Sequence, residues 1–321
     1  MSPSESIPPQ LNPALLESYK NFLNSSMQDK LAHFLPFLGR ALESRSLIVS
    51  LGAGTGKLEA FLAKLSLGKV VAIDYNLQMI EDLEEEAENL AAQLPGERLH
   101  LLPVSASAAY LPLKSGSADS VIACSVLHEI ISFADHYRPA EHTGLVLGEA
   151  ARVLKTGGSL IVRDFMLPPN YRQKVIVEIG KPRSREEMDP VQFVHQFLQD
   201  YQGSDLPTLR KLFPQREEVK AGWRFEVPLA EALELLVHHS WSKRFAEEVK
   251  EQYFYFSAPD YARVMARCFQ ESGFPAKIIH ASAYLQPGYP EHLNNRFNLY
   301  TPKGEPLPLP PITGVVVLEK R

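Results

Sequence analysis

A glycine-rich turn beside a strand-end carboxylate carries the clearest chemical signal in this sequence. Gly52, Gly54 and Gly56 alternate with small residues directly after an apolar run, and Asp74 closes the next apolar run, 69–73. Glycines let the chain turn sharply and let a ligand approach the backbone where a Cβ would otherwise stand. Ligands of open α/β sheets sit at the carboxyl ends of the strands. The pattern predicts that Asp74 accepts both hydroxyls of a ribose beside the turn; the alternative is that Asp74 only caps a helix or holds a turn.

The glycine spacing disfavours two phosphate-binding loops. A dinucleotide turn of the form GxGxxG would place its third glycine at Lys57. A P-loop needs GxxxxGK followed by Ser or Thr, but Leu58 follows Lys57 and the upstream glycine is misplaced. Both phosphate-binding interpretations are therefore disfavoured.

Alternating apolar runs and helical periods indicate the elements that position this turn. Helical spacing extends over 14–40, with a separate stretch at 27–38, and over 57–66 and 77–94. Apolar runs typical of strands buried on both faces occur at 46–51, 69–73, 99–104, 120–125 and 159–162. Strands separated by helices predict a parallel sheet wrapped by helices, which is an α/β fold.

Four segments in order resemble the motifs of class I S-adenosylmethionine-dependent methyltransferases. They are VSLGAGTG at 49–56, VAID at 71–74, ADSVI at 118–122 and RVLKTGG at 152–158. The resemblance covers about 44–165 well and 258–321 more loosely. It implies S-adenosyl-L-methionine as cofactor and a Rossmann-like, mostly parallel seven-stranded sheet with an antiparallel last strand. The segments 276–284 and 312–318 would supply the last two strands.

The resemblance also implies which residues bind the cofactor. The glycines would cradle the amino-acid and ribose parts of the cofactor. Asp74 would bind the ribose hydroxyls, and Tyr75 would lie beside the adenine. Ser125 and Val126 would face the methionine portion. Two positions depart from the family. Ser50 stands where an acidic residue often precedes the first glycine, and Ser105 stands where an acidic residue commonly contacts the adenine amine. Ser105 can make one hydrogen bond in its place.

Three side chains near the ends of the fourth and fifth predicted strands are candidates for catalysis: His128, Glu129 and Asp164. Methyl transfer needs alignment, exclusion of water and, for some acceptors, removal of a proton. His128 is the preferred base because imidazole titrates near neutral pH. Alternatively, His128 and Glu129 only begin a helix, with Glu129 near the positive end of its dipole. Asp164 either steers a cationic acceptor or hydrogen-bonds a loop, and by itself does not indicate a metal site.

The chain divides into four predicted regions. Residues 1–43 form an N-terminal helical cap, and 44–165 form the cofactor-binding core. Residues 166–257 show no obvious strand, so we expect a helical insertion that caps the acceptor. Residues 258–321 return to the core with a helix and the last two strands, joined by a proline-rich loop of extended backbone. His238 and His239, in the insertion, are expected to pack between helices rather than line an acceptor pocket.

Composition limits the function classes. The 321 residues carry a net charge of −5, and 1–165 hold 13 Lys/Arg against 19 Asp/Glu, an acidic balance that suits nucleic-acid binding poorly. No apolar run approaches the roughly 20 residues of a membrane span, and the polar start favours a cytoplasmic protein without a membrane partner. We expect a methyltransferase of small-molecule acceptors. The alternatives are an RNA or protein methyltransferase and a non-catalytic S-adenosylmethionine-binding module.

Overall fold

The computed structural model describes residues 27–42, 45–65, 68–93, 100–133, 139–181, 188–212 and 221–321. Most of the predicted N-terminal cap, 1–26, lies outside these residues. The chain forms two compact units. The first contains the described residues up to Asp164 together with Ala258–Ser282 and Gly314–Arg321, and the second contains Phe165–Ser257 and Ala283–Thr313.

Strands and helices alternate along the first part of the chain. In order, they are α1 Met27–Leu38, β1 Leu47–Leu51, α2 Lys57–Leu65, β2 Lys69–Asp74, α3 Leu77–Gln93, β3 Leu101–Ser105, β4 Ala118–Cys124, α4 Leu127–Ser132, α5 Pro139–Val153 and β5 Leu154–Phe165. A 3-10 turn, Gly39–Leu42, follows α1.

The rest of the chain mixes both element types. In order, they are β6 Lys174–Ile179, α6 Pro190–Asp200, α7 Pro207–Leu212, β7 Arg224–Pro228, α8 Leu229–Ser240, α9 Phe245–Glu248, α10 Ala258–Glu271, β8 Ala276–Tyr284, α11 Tyr289–Leu293, β9 Phe297–Tyr300, β10 Pro306–Leu307 and β11 Thr313–Lys320. A 3-10 turn, Ser242–Arg244, links α8 to α9.

A seven-stranded sheet forms the first unit, in the order β3-β2-β1-β4-β5-β11-β8. The pairs from β3 through to β5 are parallel. Strand β11 is antiparallel to β8, because Ile312 N donates to Tyr284 O near one end and Arg321 N donates to Pro275 O at the other. The Rossmann-like sheet with an antiparallel last strand is therefore confirmed.

The strand order reverses between β1 and β4, and this topological switch places the site. Strands β1 and β2 are apolar and almost entirely buried, as expected for a sheet covered on both faces. Because the chain leaves β1 and β4 in opposite directions across the sheet, a crevice opens outside their carboxyl ends. The glycine turn follows β1 and α4 follows β4, so both border this crevice.

The second unit has its own antiparallel sheet, in the order β10-β9-β6-β7. Strand β6 alternates, with Val175, Val177 and Ile179 buried in an apolar core that also contains Phe193 and Phe197. The prediction of a purely helical insertion over 166–257 is wrong, since β6 and β7 lie within it. The proline-rich segment also differs from the prediction: 283–313 contributes a helix and two short strands to the second unit.

None of the helices in the described part of the chain is both long and apolar enough to cross a membrane.

Candidate active site

The turn after β1 uses its three glycines in two different ways. All three have positive φ: 61° at Gly52, 55° at Gly54 and 73° at Gly56. A Cβ at Gly52 would lie 2.2 Å from Val126 Cγ2, and one at Gly56 would lie 2.3 Å from Leu83 Cδ2. A Cβ at Gly54 would meet nothing within 4 Å. Gly52 and Gly56 are therefore needed for packing, whereas Gly54 exposes bare backbone to open space.

Asp74 points its carboxylate at this turn. Its Oδ2 accepts a hydrogen bond from Gly54 N (2.9 Å) and its Oδ1 accepts one from Asn76 N (2.9 Å). Only 8% of Asp74 is exposed. Burial raises the pKa of Asp74, and the hydrogen bonds from the Asn76, Gly54 and Tyr75 backbones oppose that rise. The carboxylate thus does hold a turn, as one interpretation of the sequence had it. A carboxylate has about four acceptor sites on its two oxygens, so Asp74 can accept further hydrogen bonds, as a pair of ribose hydroxyls would require.

The predicted adenine contacts flank Asp74. Tyr75 follows Asp74 in the chain and is 41% exposed. Ser105 is exposed and is the residue paired with Asp74 between the parallel strands β2 and β3. Ala106 N donates to Asp74 O (3.0 Å), which joins the ends of the two strands. An open aromatic ring and a hydroxyl on adjacent strand ends suit a flat, polar base. The residues around the turn therefore fit an adenosyl ligand.

A buried arginine that the sequence analysis did not identify lies beside the residues predicted to face the methionine portion of the cofactor. Arg163 on β5 donates to Ser125 Oγ (3.0 Å) and to Asp29 Oδ2 on α1 (2.8 Å). Ser125, which follows β4, has a φ of 57°, an unfavourable region for a residue with a Cβ. The neighbouring Val126 side chain is buried against Gly52. Arg163 thus ties α1 to the carboxyl ends of β4 and β5. A basic residue directly after the apolar run 160–162 was the available signal.

His128 and Asp164 form a buried pair at the ends of β4 and β5. His128 Nδ1 lies 2.6 Å from Asp164 Oδ1, and the His128 backbone N–H donates to Asp164 Oδ2 (3.1 Å). His128 is 5% exposed and Asp164 2%. A carboxylate at Nδ1 makes that nitrogen the donor in neutral imidazole, so the lone pair lies on Nε2.

The alternative interpretation of this segment is also correct as local structure. His128 and Glu129 lie in the first turn of α4, which begins at Leu127, and Asp164 does hydrogen-bond the start of that helix. Glu129 is only partly buried, and its backbone O accepts from Phe133 N (2.8 Å). The structure therefore pairs His128 with Asp164. A Glu129 carboxylate oxygen, from the same first turn of α4, lies within 4.8 Å of a His128 ring nitrogen.

A second carboxylate beside the turn also escaped the sequence reading. Glu59, in the first turn of α2, accepts a hydrogen bond from Ser50 Oγ at its Oε1 (2.6 Å) and is 1% exposed. Its Oε2 is buried with no hydrogen-bond partner among the described residues. Ser50 stands at a position that is often acidic in the family. A glutamate only three residues after Gly56 was therefore the signal that could have identified Glu59 as a nearby carboxylate.

The two histidines of the insertion take no part in this arrangement. His238 and His239 are buried within the second unit, in agreement with the packing interpretation. His238 Nδ1 lies 2.7 Å from Glu234 O, and its Nε2 lies 3.1 Å from both Glu248 O and Glu251 O. These contacts with backbone carbonyl oxygens hold the His238 ring within the second unit.

A match to a family model supports the same family as the sequence motifs. Residues 49–162 match the model of the methyltransferase domain family. A methyltransferase dependent on S-adenosylmethionine from Aquifex aeolicus is 12% identical, with 97% of this chain and 100% of that chain covered, at a TM-score of 0.44. Geranyl diphosphate C-methyltransferase from Streptomyces coelicolor is 8% identical, with 100% and 88% covered, at 0.45. No curated protein sequence matches the chain.

Proposed function

We propose, from the premise that this chain belongs to the class I S-adenosylmethionine-dependent methyltransferases, that it methylates a small molecule with His128 as the base. The buried contact between Asp164 Oδ1 and His128 Nδ1 is the observation that carries this proposal. It supplies a positioned proton acceptor at the end of β4, on the sheet edge where the chain would bind its cofactor.

The cofactor contacts are proposed from the geometry of the turn. Gly54 provides open backbone, Asp74 accepts the ribose hydroxyls, and Tyr75 and Ser105 border the adenine. Gly52 and Gly56 maintain the shape of the turn, while Ser125 and Val126 line the methionine side. When bound, S-adenosylmethionine would supply an electrophilic methyl group for in-line attack by the acceptor, with S-adenosylhomocysteine as the leaving group.

His128 then acts on the acceptor rather than on the cofactor. As the acceptor forms its bond to the methyl group, Nε2 takes the proton that the acceptor loses. Asp164 keeps Nδ1 as the donor and stabilises the positive charge that the ring gains, which is the usual role of a carboxylate behind a catalytic histidine. Glu129 is assigned the first turn of α4, where a carboxylate is favoured by the helix dipole.

Burial and charge favour a small acceptor over a polymer. A base that is 95% enclosed is reached by a compact molecule more readily than by a folded RNA or protein surface. The acidic balance of 1–165 adds repulsion toward phosphate backbones. The second unit begins at Phe165, directly after Asp164 in the chain. We assign to it the choice of acceptor.

Transfer of a labelled methyl group tests this function. The full chain would be incubated with methyl-labelled S-adenosylmethionine and, separately, with a small-metabolite extract, total RNA and total protein. We expect label in a small product heavier than its acceptor by one methylene. His128→Gln should bind the cofactor normally and lose transfer. Label in RNA or protein alone would refute the small-molecule proposal, and binding without transfer to any acceptor would favour a cofactor-binding module.

A further inference from the structure

A buried carboxylate with an unsatisfied oxygen lies next to the glycine turn. Glu59 Oε1 is held by Ser50, two residues before Gly52, whereas Oε2 has no hydrogen-bond partner among the described residues. Buried polar atoms are nearly always paired, and an ionised carboxylate left half-paired away from water is costly. The mechanism proposed above gives Glu59 no role, so its burial calls for a separate explanation.

Charged groups from the surrounding elements act on this carboxyl. The pKa of Glu59 is raised to about 7, chiefly by burial, and the charge of Asp74, at the end of β2, contributes to the rise. The Ser50 hydrogen bond, the backbone N–H of Glu59 and the charge of Lys30 on α1 lower it. Helix α3, which packs on α2, carries the partly buried carboxylate of Asp82. Glu59 is therefore poised to gain or lose a proton near neutral pH.

We propose that Glu59 is the buried counter-charge of the cationic cofactor, and that binding of a cationic adenosyl ligand at the Gly52–Gly56 turn expels its proton. This inference rests on the proposed function. Ser50 occupies a position that is often acidic in the family, and its hydroxyl donates a hydrogen bond to Glu59. Glu59 therefore supplies, next to the turn, the negative charge that Ser50 lacks. Asp74, which acts electrostatically on Glu59, also accepts from Gly54 N, so both carboxylates belong to the same turn.

The coupling follows from electrostatics and does not require direct contact. The ligand carries a sulfonium, an ammonium and a carboxylate group, so its net charge is positive. In an interior of low dielectric constant, this charge favours the ionised form of a nearby carboxyl. The neutral carboxyl then dissociates to a carboxylate, and its proton passes to the buffer. Glu59 is thus a positioning residue that acts through the field at the turn.

Calorimetry at pH 6.5–7 measures the released proton directly. Titrations of the full chain with S-adenosylmethionine, in two buffers of different ionisation enthalpy, give the number of protons released. Because the ligand's own ionisation is common to all variants, the readout is the difference between the wild type and Glu59→Gln. We expect the wild type to release about half a proton more at pH 7, since roughly half of Glu59 is protonated there. The neutral probe 5′-methylthioadenosine should show no such difference.

Two further variants make the result specific. Glu84→Gln removes an exposed carboxylate of α3 and should release as many protons as the wild type. Ser50→Ala removes the hydrogen bond that lowers the pKa of Glu59, so its proton release should be greatest at a higher pH. Equal proton release in the wild type and Glu59→Gln, or an unmoved profile in Ser50→Ala, would overturn the inference. Absence of any binding heat in the wild type would instead contradict the proposed function.

Discussion

A single added methyl group distinguishes a turn that receives the cofactor from one that only connects two elements. At Gly54, alanine meets no atom within 4 Å, and its only intrinsic penalty is a φ of 55°. That penalty is about 1–2 kcal/mol for a residue with a Cβ. Gly157 is the matched control, because it also has positive φ (80°) and open space but lies near the start of β5, away from the carboxyl edge. Both variants should therefore lose similar, modest stability.

Cofactor binding should separate the two variants. If a ribose or amino-acid group lies against Gly54, the new methyl group occupies its space. Overpacking by a group of this size costs about 1–3 kcal/mol, which corresponds to roughly a 5- to 150-fold loss of affinity. Gly157→Ala should bind S-adenosylmethionine like the wild type. Calorimetric titration gives both affinities, and thermal unfolding gives both stabilities.

Gly52→Ala provides the contrasting case. Its Cβ would lie 2.2 Å from Val126 Cγ2, so it adds a clash of about 1–3 kcal/mol to the cost of its positive φ. We expect its melting temperature to fall clearly below that of Gly54→Ala. The reasoning would be refuted if Gly54→Ala bound the cofactor as tightly as Gly157→Ala, because the open space at Gly54 would then not be where the ligand lies.

Three other substitutions test separate parts of the site. Asp164→Asn should lower kcat by about 10²- to 10⁴-fold with little change in cofactor affinity, since it disturbs the His128 tautomer; steady-state kinetics would show this, and an unchanged kcat would exclude His128 as the base. Glu59→Gln should alter the pH dependence of folding. The raised pKa of Glu59 means that its favourable contribution is complete below pH 4.5 and is lost as pH rises through about 7. Urea unfolding should therefore show the wild type losing up to about 3 kcal/mol relative to the variant over that range, and parallel curves would contradict the burial argument. Arg163→Met removes the ion pair that Arg163 makes with the Asp29 carboxylate, so it should destabilise the fold by about 3–5 kcal/mol. Asp29→Asn in the same chain should recover part of that loss, and a loss under about 1 kcal/mol would show that the tie is unimportant.

Local patterns in the sequence were sufficient for the central sheet and for the turn. Helix α1 spans 27–38 as predicted, and β1, α2 and β2 begin within a residue of their predicted positions. These elements are long or fully apolar, and glycines or Asn76, whose side chain caps α3 at Gln78 N, mark their ends. Propensity, burial and capping agree there, so the sequence alone identifies them.

Short strands with distant partners could not be identified in the same way. Strand β6 is six residues long and pairs with β7 and with β9, which begins more than a hundred residues later. Its alternation of buried and partly buried residues is too brief to stand out among the neighbouring helical periods. Strands of this length gain their stability from packing against other strands. Only the tertiary structure therefore decides that the insertion contains a sheet.

The same division runs through the site. The sequence by itself determined the glycine turn, Asp74 and the place of His128, because each follows a recognisable strand. It did not determine that Asp164 would hold His128, that Arg163 would reach Asp29, 134 residues away, or that Glu59 would stand behind Ser50. Those contacts depend on which side chains are buried together, and a buried charge must find its partner wherever the fold places one. Their chemistry was therefore decided by packing, not by spacing along the chain.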